Sequence, residues 1–162
     1  MRVLYHDIAR KSEEQEQSVN ARFYKNLDDM LAEADCTVIG TPFSGEKLIT
    51  TERLAAFKKG SRFMNIARGT VVYENALVNV LKSRRIFAAG LDVNENEPHV
   101  HPEFCSMRNV SLTCHNAGGA WDTASRFEKL AMENIEVFLL KGNALTPVNA
   151  YAVDASANGE VV

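Results

Sequence analysis

Arg68, Glu97 and His115 could act together on a small carboxylic acid, and each follows an apolar part of the chain. A guanidinium can bind a carboxylate through two parallel hydrogen bonds. An imidazole can exchange a proton with a carbonyl oxygen, and a carboxylate beside it favours its protonated form. These residue types therefore fit chemistry on a 2-keto acid, with Arg68 binding the carboxylate and polarising the carbonyl group.

Each of the three residues also has an ordinary structural interpretation. Arg68 could extend to the surface and pair with a nearby acid, Glu97 could be a solvated loop residue, and His115 could cap the end of a strand. Residue types alone do not decide between these interpretations, because most chains of this length contain an arginine, a glutamate and a histidine. The choice between the catalytic and the structural interpretation therefore depends on the strands and helices that position Arg68, Glu97 and His115.

The composition favours one ordinary domain with a core, because the chain has 162 residues and 46% of them are hydrophobic. A net charge of -3 argues against a nucleic-acid partner. The sequence contains no membrane-length apolar run and no signal-peptide pattern at its start, so we expect a cytoplasmic protein without a membrane partner. We expect reduced thiols at Cys36, Cys105 and Cys114, with the first and third as small core residues in strands.

Apolar runs and amphipathic segments alternate along most of the chain. The predicted strands cover 2–6, 36–41, 61–67, 86–93 and 109–114. The predicted helices cover 26–34, 51–58, 75–83 and 121–141, and the last ends at Gly142. Residues 9–20 are predicted to form a solvated loop or a short exposed helix, and 94–108 a polar segment. This order predicts an α/β fold, a parallel sheet with helices on both faces, in which strand 61–67 is buried on both sides.

The carboxyl ends of parallel strands meet at one edge of a sheet, where such folds bind their ligands. Asp7 follows the first predicted strand, and an acid in that position can accept hydrogen bonds from the ribose hydroxyls of NAD and disfavour a 2′-phosphate. Arg10 and Lys11 lie close enough in sequence to reach a 2′-phosphate, so NADP stays open. No G-x-G-x-x-G motif occurs in the sequence.

Three motifs occur in order: 65–77 (NIARGTVVYENAL), 89–93 (AGLDV) followed by Glu97-Pro98, and 115–119 (HNAGG). Together they resemble the D-isomer-specific 2-hydroxyacid dehydrogenases, and the intervals also match, since Glu97 lies 29 positions after Arg68 and His115 lies 18 after Glu97. In that family the arginine binds the substrate carboxylate, the histidine is the acid/base and the glutamate pairs with it. The resemblance implies these roles here, although Tyr73 replaces the usual aspartate of the first motif.

The same resemblance implies an NAD cofactor, with NADP still open, and a possible homodimer. The implied cofactor-binding residues are Asp7, Thr41, Pro42, Ile66, Ala67, Arg68, Asp92, His115, Asn116 and Gly118. The implied fold is a partial Rossmann-type doubly wound sheet that lacks the first strand and its glycine-rich turn. Residues 1–119 would form a partial NAD(P)-binding domain, 120–152 a helix and segment returning to a substrate domain, and 153–162 a disordered tail. We therefore expect this chain, as a carboxyl-terminal half, to bind NADH weakly and to turn over little alone.

Two other functions stay open at this point. A metal hydrolase could use His99 and His101 with Glu97 or Glu103, although loop histidines beside prolines make poor ligands. A noncatalytic remnant could act as a dimerisation or regulatory module. Cys114 is disfavoured as a nucleophile, because we expect it to face the interior of the sheet.

Overall fold

The computed structural model of the protein describes residues 1–41 and 45–148. The strands of these ranges are β1 (Val3–Tyr5), β2 (Ala21–Phe23), β3 (Cys36–Ile39), β4 (Ser61–Asn65), β5 (Ile86–Leu91) and β6 (Val110–Leu112). The α-helices are α1 (Glu13–Ser18), α2 (Leu27–Glu33), α3 (Thr51–Ala56), α4 (Glu74–Lys82), α5 (Pro102–Ser106) and α6 (Trp121–Lys141). A 3₁₀ turn, Gly69–Val71, precedes α4. Pro42 and the predicted tail, 153–162, lie outside the described residues.

The strands of the first compact unit, Met1–Asn116, form two parallel sheets. β1 pairs with β2, and the larger sheet has the order β3-β4-β5-β6. In the larger sheet Asn65 lies beside Leu91, which in turn lies beside Leu112, so the carboxyl ends of β4, β5 and β6 are level. The predicted parallel α/β fold is confirmed, and this alignment brings the segments after residues 65, 91 and 112 to one edge.

The larger sheet is buried on one face, and the prediction that strand 61–67 is buried on both sides is wrong. Phe63 and Asn65 are buried, whereas the alternating residues Arg62, Met64 and Ile66 are exposed. An apolar run indicates that a strand has hydrophobic side chains, but it does not indicate which face of the sheet has helices packed against it. The core lies on the covered side and includes Phe57, Phe63, Leu54, Leu77, Leu81 and Ile86.

Helix α1 confirms the helical alternative for residues 9–20, and it begins with a capping box between Ser12 and Gln15. Helices α2, α3 and α4 lie within two residues of their predicted bounds. The structure adds β2 and α5, which were not predicted as elements. Helix α5 begins with Pro102 in its first turn, and the His101 side chain accepts a hydrogen bond from the Glu103 amide.

All three cysteines are exposed, so the prediction that Cys36 and Cys114 are core residues is wrong. Cys36 lies on the exposed side of β3, where side chains alternate between exposed and buried. Cys114 lies beyond the end of β6 and lines a cleft instead of facing the sheet interior. The reason given against it as a nucleophile was therefore also wrong.

The second compact unit begins at Ala117 and contains α6, whose bounds match the prediction. Gly142 ends the helix in the left-handed conformation, with φ of 74° and its amide donating to the Phe138 carbonyl oxygen at 2.9 Å. No residue of α6 is buried, and its large hydrophobic side chains, Phe127, Ile135 and Phe138 among them, are exposed. The predicted domain bounds 1–119 and 120–152 stay a prediction. Within the described ranges, no helix is long and apolar enough to cross a membrane.

Candidate active site

A cleft of about 810 Å³ opens beyond the carboxyl ends of β5 and β6. Its walls combine polar side chains from two loops with a few apolar side chains. They are Asp92, Asn94, Glu97, Pro98, Val100, Leu112, Thr113, Cys114, His115 and Asn116. The cleft therefore lies at the edge where parallel α/β sheets bind ligands.

Glu97 and His115 form the central polar contact of the cleft. Glu97 Oε2 lies 2.8 Å from His115 Nδ1, and its Oε1 accepts a hydrogen bond from the Asn94 amide at 2.9 Å. The Asn94 amide, the His115 side chain and the charge of Arg68 hold the pKa of Glu97 below its ordinary value. Glu97 is thus a carboxylate at neutral pH, and Nδ1 is the ring nitrogen of His115 that it contacts.

Asp92 fixes the backbone turn that carries His115. The His115 amide donates to the Asp92 carbonyl oxygen at 2.9 Å, and the Asn116 amide donates to Asp92 Oδ1 at 3.0 Å. The Thr113 hydroxyl donates to that same carboxylate oxygen. Asp92 is 5% exposed, and His115 has a φ of 54°, a left-handed conformation that a non-glycine residue adopts at a cost of about 1–2 kcal/mol. These hydrogen bonds hold the turn in that conformation.

Asn65 shapes the turn that carries Arg68. Its buried amide accepts a hydrogen bond from the Ala67 amide at 3.1 Å and donates to the Arg68 carbonyl oxygen at 2.9 Å. Arg68 itself is exposed, and its Nη1 donates to the Ala67 carbonyl oxygen at 2.6 Å. The charge of Arg68 also lowers the pKa of Glu97, with a smaller effect than the Asn94 amide or His115. The walls of the cleft come from other described residues.

The remaining predicted cofactor residues differ in exposure and in the compact unit to which they belong. Ile66 is 46% exposed, whereas the next residue in the chain, Ala67, is buried at 7%. Thr41 lies two positions after the end of β3, and Gly118 belongs to the second compact unit. The structure thus brings Asp92, Glu97, His115 and Asn116 together in the cleft.

Asp7 follows the end of β1 in the smaller sheet. Its carboxylate accepts a hydrogen bond from the Ile8 amide at 2.7 Å and forms an ion pair with Lys11 at 3.0 Å. The Lys11 side chain, and then the Ile8 amide, lower the pKa of Asp7. An ionised acid therefore stands at the strand end where a ribose acid was predicted.

Arg10, in the segment after β1, is held by Glu16 of α1. Its Nε and Nη2 each lie 2.8 Å from a different Glu16 oxygen, in a bidentate arrangement. The Tyr5 hydroxyl donates to Glu16 at 2.6 Å, and Arg10 and Tyr5 together lower the pKa of Glu16 to about 2. The guanidinium nearest in sequence to Asp7 is therefore already engaged with a carboxylate.

Sequence reasoning missed the residues that support the glutamate loop. Glu74, the first residue of α4, accepts a hydrogen bond from the Glu95 amide at 2.7 Å, and Lys47 forms an ion pair with the Glu95 carboxylate. Glu74 belongs to the first motif, next to the unusual Tyr73, so its place in the motif was the available signal. No comparable signal marks Lys47, which approaches the loop only through the fold.

The metal-hydrolase alternative finds no ligand set in the structure. In the ranges 1–41 and 45–148, no group of three or more histidine, cysteine, aspartate or glutamate side chains lies together as a metal site would require. His101 Nε2 is instead 2.9 Å from the Asn75 side-chain oxygen, and its Nδ1 caps α5. This histidine therefore has a structural role.

Arg68, Glu97 and His115 follow β4, β5 and β6. They lie beyond the carboxyl ends of parallel strands, where open α/β sheets bind nucleotides. The model of the family "D-isomer specific 2-hydroxyacid dehydrogenase, NAD binding domain" matches residues 1–117. The chain belongs to this family.

Glyoxylate reductase of Pyrococcus horikoshii is 42% identical over 140 residues, which cover 85% of this chain and 41% of the relative. The apo structure of Rhodotorula graminis D-mandelate dehydrogenase superposes with a TM-score of 0.86 at 38% identity, covering 92% of this chain and 44% of that one. An NADPH-dependent glyoxylate/hydroxypyruvate reductase of Sinorhizobium meliloti, solved with NADP and malonate, gives a TM-score of 0.78 at 30% identity, covering 91% and 45%. The chain thus spans less than half the length of these relatives.

Proposed function

We propose that this chain carries the proton-transfer and carboxylate-binding groups of an NAD(H)-dependent oxidoreductase that acts on the CH–OH group of D-2-hydroxy acids and reduces small 2-keto acids. The observation that carries the proposal is the 2.8 Å contact between Glu97 Oε2 and His115 Nδ1. The charge of Arg68 also lowers the pKa of Glu97. The names of the relatives, glyoxylate reductase among them, support the same substrate class.

Each of the three residues has a separate role in the proposed reaction. Arg68 binds the substrate carboxylate and polarises the adjacent carbonyl group. His115 donates the proton at Nε2 to the carbonyl oxygen during reduction and takes it back during oxidation. Glu97, ionised because the Asn94 amide and His115 lower its pKa, stabilises the imidazolium and keeps a proton on Nδ1.

The residues at the strand ends fit a dinucleotide. The ionised Asp7 suits the ribose hydroxyls, and the exposed Ile66 lies beside the turn that carries Arg68, so this turn is a suitable wall for a nicotinamide ring. We assign the cofactor contacts to Asp7, Thr41, Pro42, Ile66, Ala67, Arg68, Asp92, His115, Asn116 and Gly118. When bound, the nicotinamide supplies or accepts the hydride.

The contacts of Arg10 favour NADH over NADPH. A 2′-phosphate needs a cation beside the ribose, and Glu16 already holds the Arg10 guanidinium in two hydrogen bonds. Lys11 is paired with Asp7 itself. A 2′-phosphate would therefore have to break one of these two ion pairs and approach the ionised Asp7.

The 162-residue chain alone is proposed to be a weak enzyme. Its sequence has no glycine-rich turn to bind the pyrophosphate through backbone amides. Both Glu97 and His115 are also partly exposed, at 37% and 48%, and water weakens electrostatic catalysis. The alternative function is a noncatalytic module that dimerises or binds a regulatory partner.

The test combines cofactor binding with turnover. NADH fluorescence is titrated against the purified chain, and NADH oxidation is followed with glyoxylate and hydroxypyruvate. Weak but saturable NADH binding and slow turnover that His115→Gln abolishes would support the proposal. If NADH binds saturably but no turnover depends on His115, the result would favour the noncatalytic module. Absence of NADH binding would overturn the proposed oxidoreductase function.

A further inference from the structure

We propose that Glu74 is a positioning residue, which acts with Lys47 to hold the loop 94–97 so that the Glu97 carboxylate meets His115. The functional meaning of this inference rests on the proposed function, because it assigns the Glu97–His115 pair to proton transfer. Neither Glu74 nor Lys47 touches the cleft itself, whose walls come from other residues. Both act through Glu95, two residues before Glu97 in the chain.

The first observation is the burial of the Glu74 carboxylate. Glu74 is 7% exposed at the first turn of α4, and its Oε1 accepts a hydrogen bond from the Glu95 amide at 2.7 Å. Burial raises the pKa of Glu74, whereas the hydrogen bond from the Glu95 amide acts in the opposite direction. A buried carboxylate is tolerated where it satisfies a donor, and here that donor belongs to the glutamate loop.

The second observation is that Lys47 holds the same loop residue from its side chain. Its Nζ pairs with the Glu95 carboxylate, donates to the Val72 carbonyl oxygen at 3.2 Å and lies 4.7 Å from the centre of the Tyr73 ring. The Glu95 amide and carboxylate are thus both bound to groups on or before α4. This leaves Glu95 little freedom to move relative to that helix.

The third observation connects Glu95 to Glu97. The peptide between Asn94 and Glu95 packs against Gly69 so closely that a Cβ there would lie 2.4 Å from the Glu95 nitrogen. The amide of Asn94 donates to Glu97 Oε1 at 2.9 Å, while Glu97 Oε2 meets His115. A shift of the 94–95 peptide would therefore move the donor that orients the Glu97 carboxylate. Losing the Glu74 acceptor frees that peptide to shift.

The charged groups around the two acids define what a titration would report. Glu95, His101 and Lys47 act on Glu74, and His115 and Arg68 act on Glu97. The Asn94 amide is the largest of the causes that lower the pKa of Glu97. Displacing that amide should therefore raise the pKa of Glu97 even though Glu74 does not touch it.

The experiment follows the Glu97 side-chain carboxyl carbon by NMR, assigned from the spectrum of Glu97→Gln, in the free chain. Glu74→Ala is expected to raise the proton affinity of Glu97 at least about threefold, because the Asn94 hydrogen bond is weakened. Glu74→Gln keeps a side-chain oxygen that can accept from the Glu95 amide, so it should restore the wild-type titration. Val78→Ala, which removes buried atoms from the same helix, is the control and should leave the Glu97 titration unchanged.

Hydrogen exchange of the Asn94 amide at pH 7 is measured in parallel, so that the result does not depend on acid stability. Faster exchange is expected in Glu74→Ala but not in Val78→Ala. If Glu74→Ala does not fold, Lys47→Ala serves in its place with the same expected changes. An unaltered Glu97 titration and Asn94 exchange, or equal changes in Val78→Ala, would overturn the inference. Absence of NADH binding in the wild type would instead count against the proposed function alone.

Discussion

Gly69 and Asn94 are in direct backbone contact: a Cβ at position 69 would lie 1.9 Å from the Asn94 carbonyl carbon and 2.1 Å from its oxygen. The turn after Arg68 and the loop before Glu97 are therefore fitted to one another without space for a side chain. This contact joins the segment with the proposed carboxylate-binding group to the segment with the proposed partner of the histidine.

Gly69→Ala should destabilise the chain by about 1–3 kcal/mol, because the added methyl group forces two backbone segments apart. Urea unfolding followed by circular dichroism measures the effect. Gly40→Ala is the matched control, since no atom lies within 4 Å of a Cβ built at that position. Equal stability of the two variants would show that the two segments can separate freely.

His115→Gln should lower the rate of glyoxylate reduction by about 10²–10⁴-fold, because glutamine cannot transfer the proton. NADH affinity should change far less, and this difference is measured by comparing fluorescence titration with the turnover rate. Cys114→Ser, at a neighbouring position that lines the same cleft, should retain activity. A turnover rate of the His115→Gln variant close to that of the wild type would show that His115 is not the proton-transfer group.

Glu16→Gln should weaken the dependence of stability on acid pH. The pKa of Glu16 is lowered from 4.5 to about 2, so its contribution to folding is present above pH 4.5 and is lost as the pH falls towards 2. The urea midpoints of wild type and variant should therefore differ at pH 6 and converge near pH 2. Glu14→Gln, which removes an exposed acid of the same helix, should keep the wild-type profile.

The same Glu16→Gln substitution should increase the affinity for NADPH relative to NADH. Releasing the bidentate pair lets the Arg10 guanidinium approach a 2′-phosphate. Competitive titration of the two cofactors measures the ratio, again with Glu14→Gln as the charge-matched control. Adding Arg10→Ala to Glu16→Gln should cancel the gain, and persistence of the gain would mean that another cation binds the phosphate.

Phe63→Ala and Phe87→Ala compare the two faces of the larger sheet. Phe63 is fully buried and packs edge-on against Phe57, with 5.8 Å between the two ring centroids. Phe87 is 48% exposed. The first substitution should cost about 3–5 kcal/mol of unfolding free energy, and the second much less. Chemical denaturation measures both, and similar losses would mean that the second face is covered in solution.

The sequence was sufficient for the parallel sheet and the long helix, because these depend on periodicity and end signals. Gly142 marked the end of α6, and an amphipathic segment over 75–83 marked α4. The strand β2 was missed because three residues, with exposed Arg22 at their centre, carry too little pattern. The burial of β4 on one face could not be read from its composition, because it depends on what lies against the sheet.

The candidate site was predictable to the extent that each residue has a motif around it. Glu97 and His115 were identified together, and the structure places them in hydrogen-bonding contact. The hydrogen bond from the Glu95 amide to the Glu74 carboxylate and the packing of Gly69 on Asn94 were not predictable, since each joins residues more than 20 positions apart in the sequence. Local patterns describe which groups are present, whereas these contacts depend on how two loops approach one another.

The alternating exposure of the larger sheet has a practical consequence for anyone handling the protein. Val38, Met64 and Phe87 present hydrocarbon to water on the strands of the larger sheet, at 51%, 41% and 48% exposure. Exposed apolar surfaces of this kind promote self-association as the protein concentration rises. Purified stocks should therefore be kept dilute, and light scattering should be recorded before any titration is interpreted.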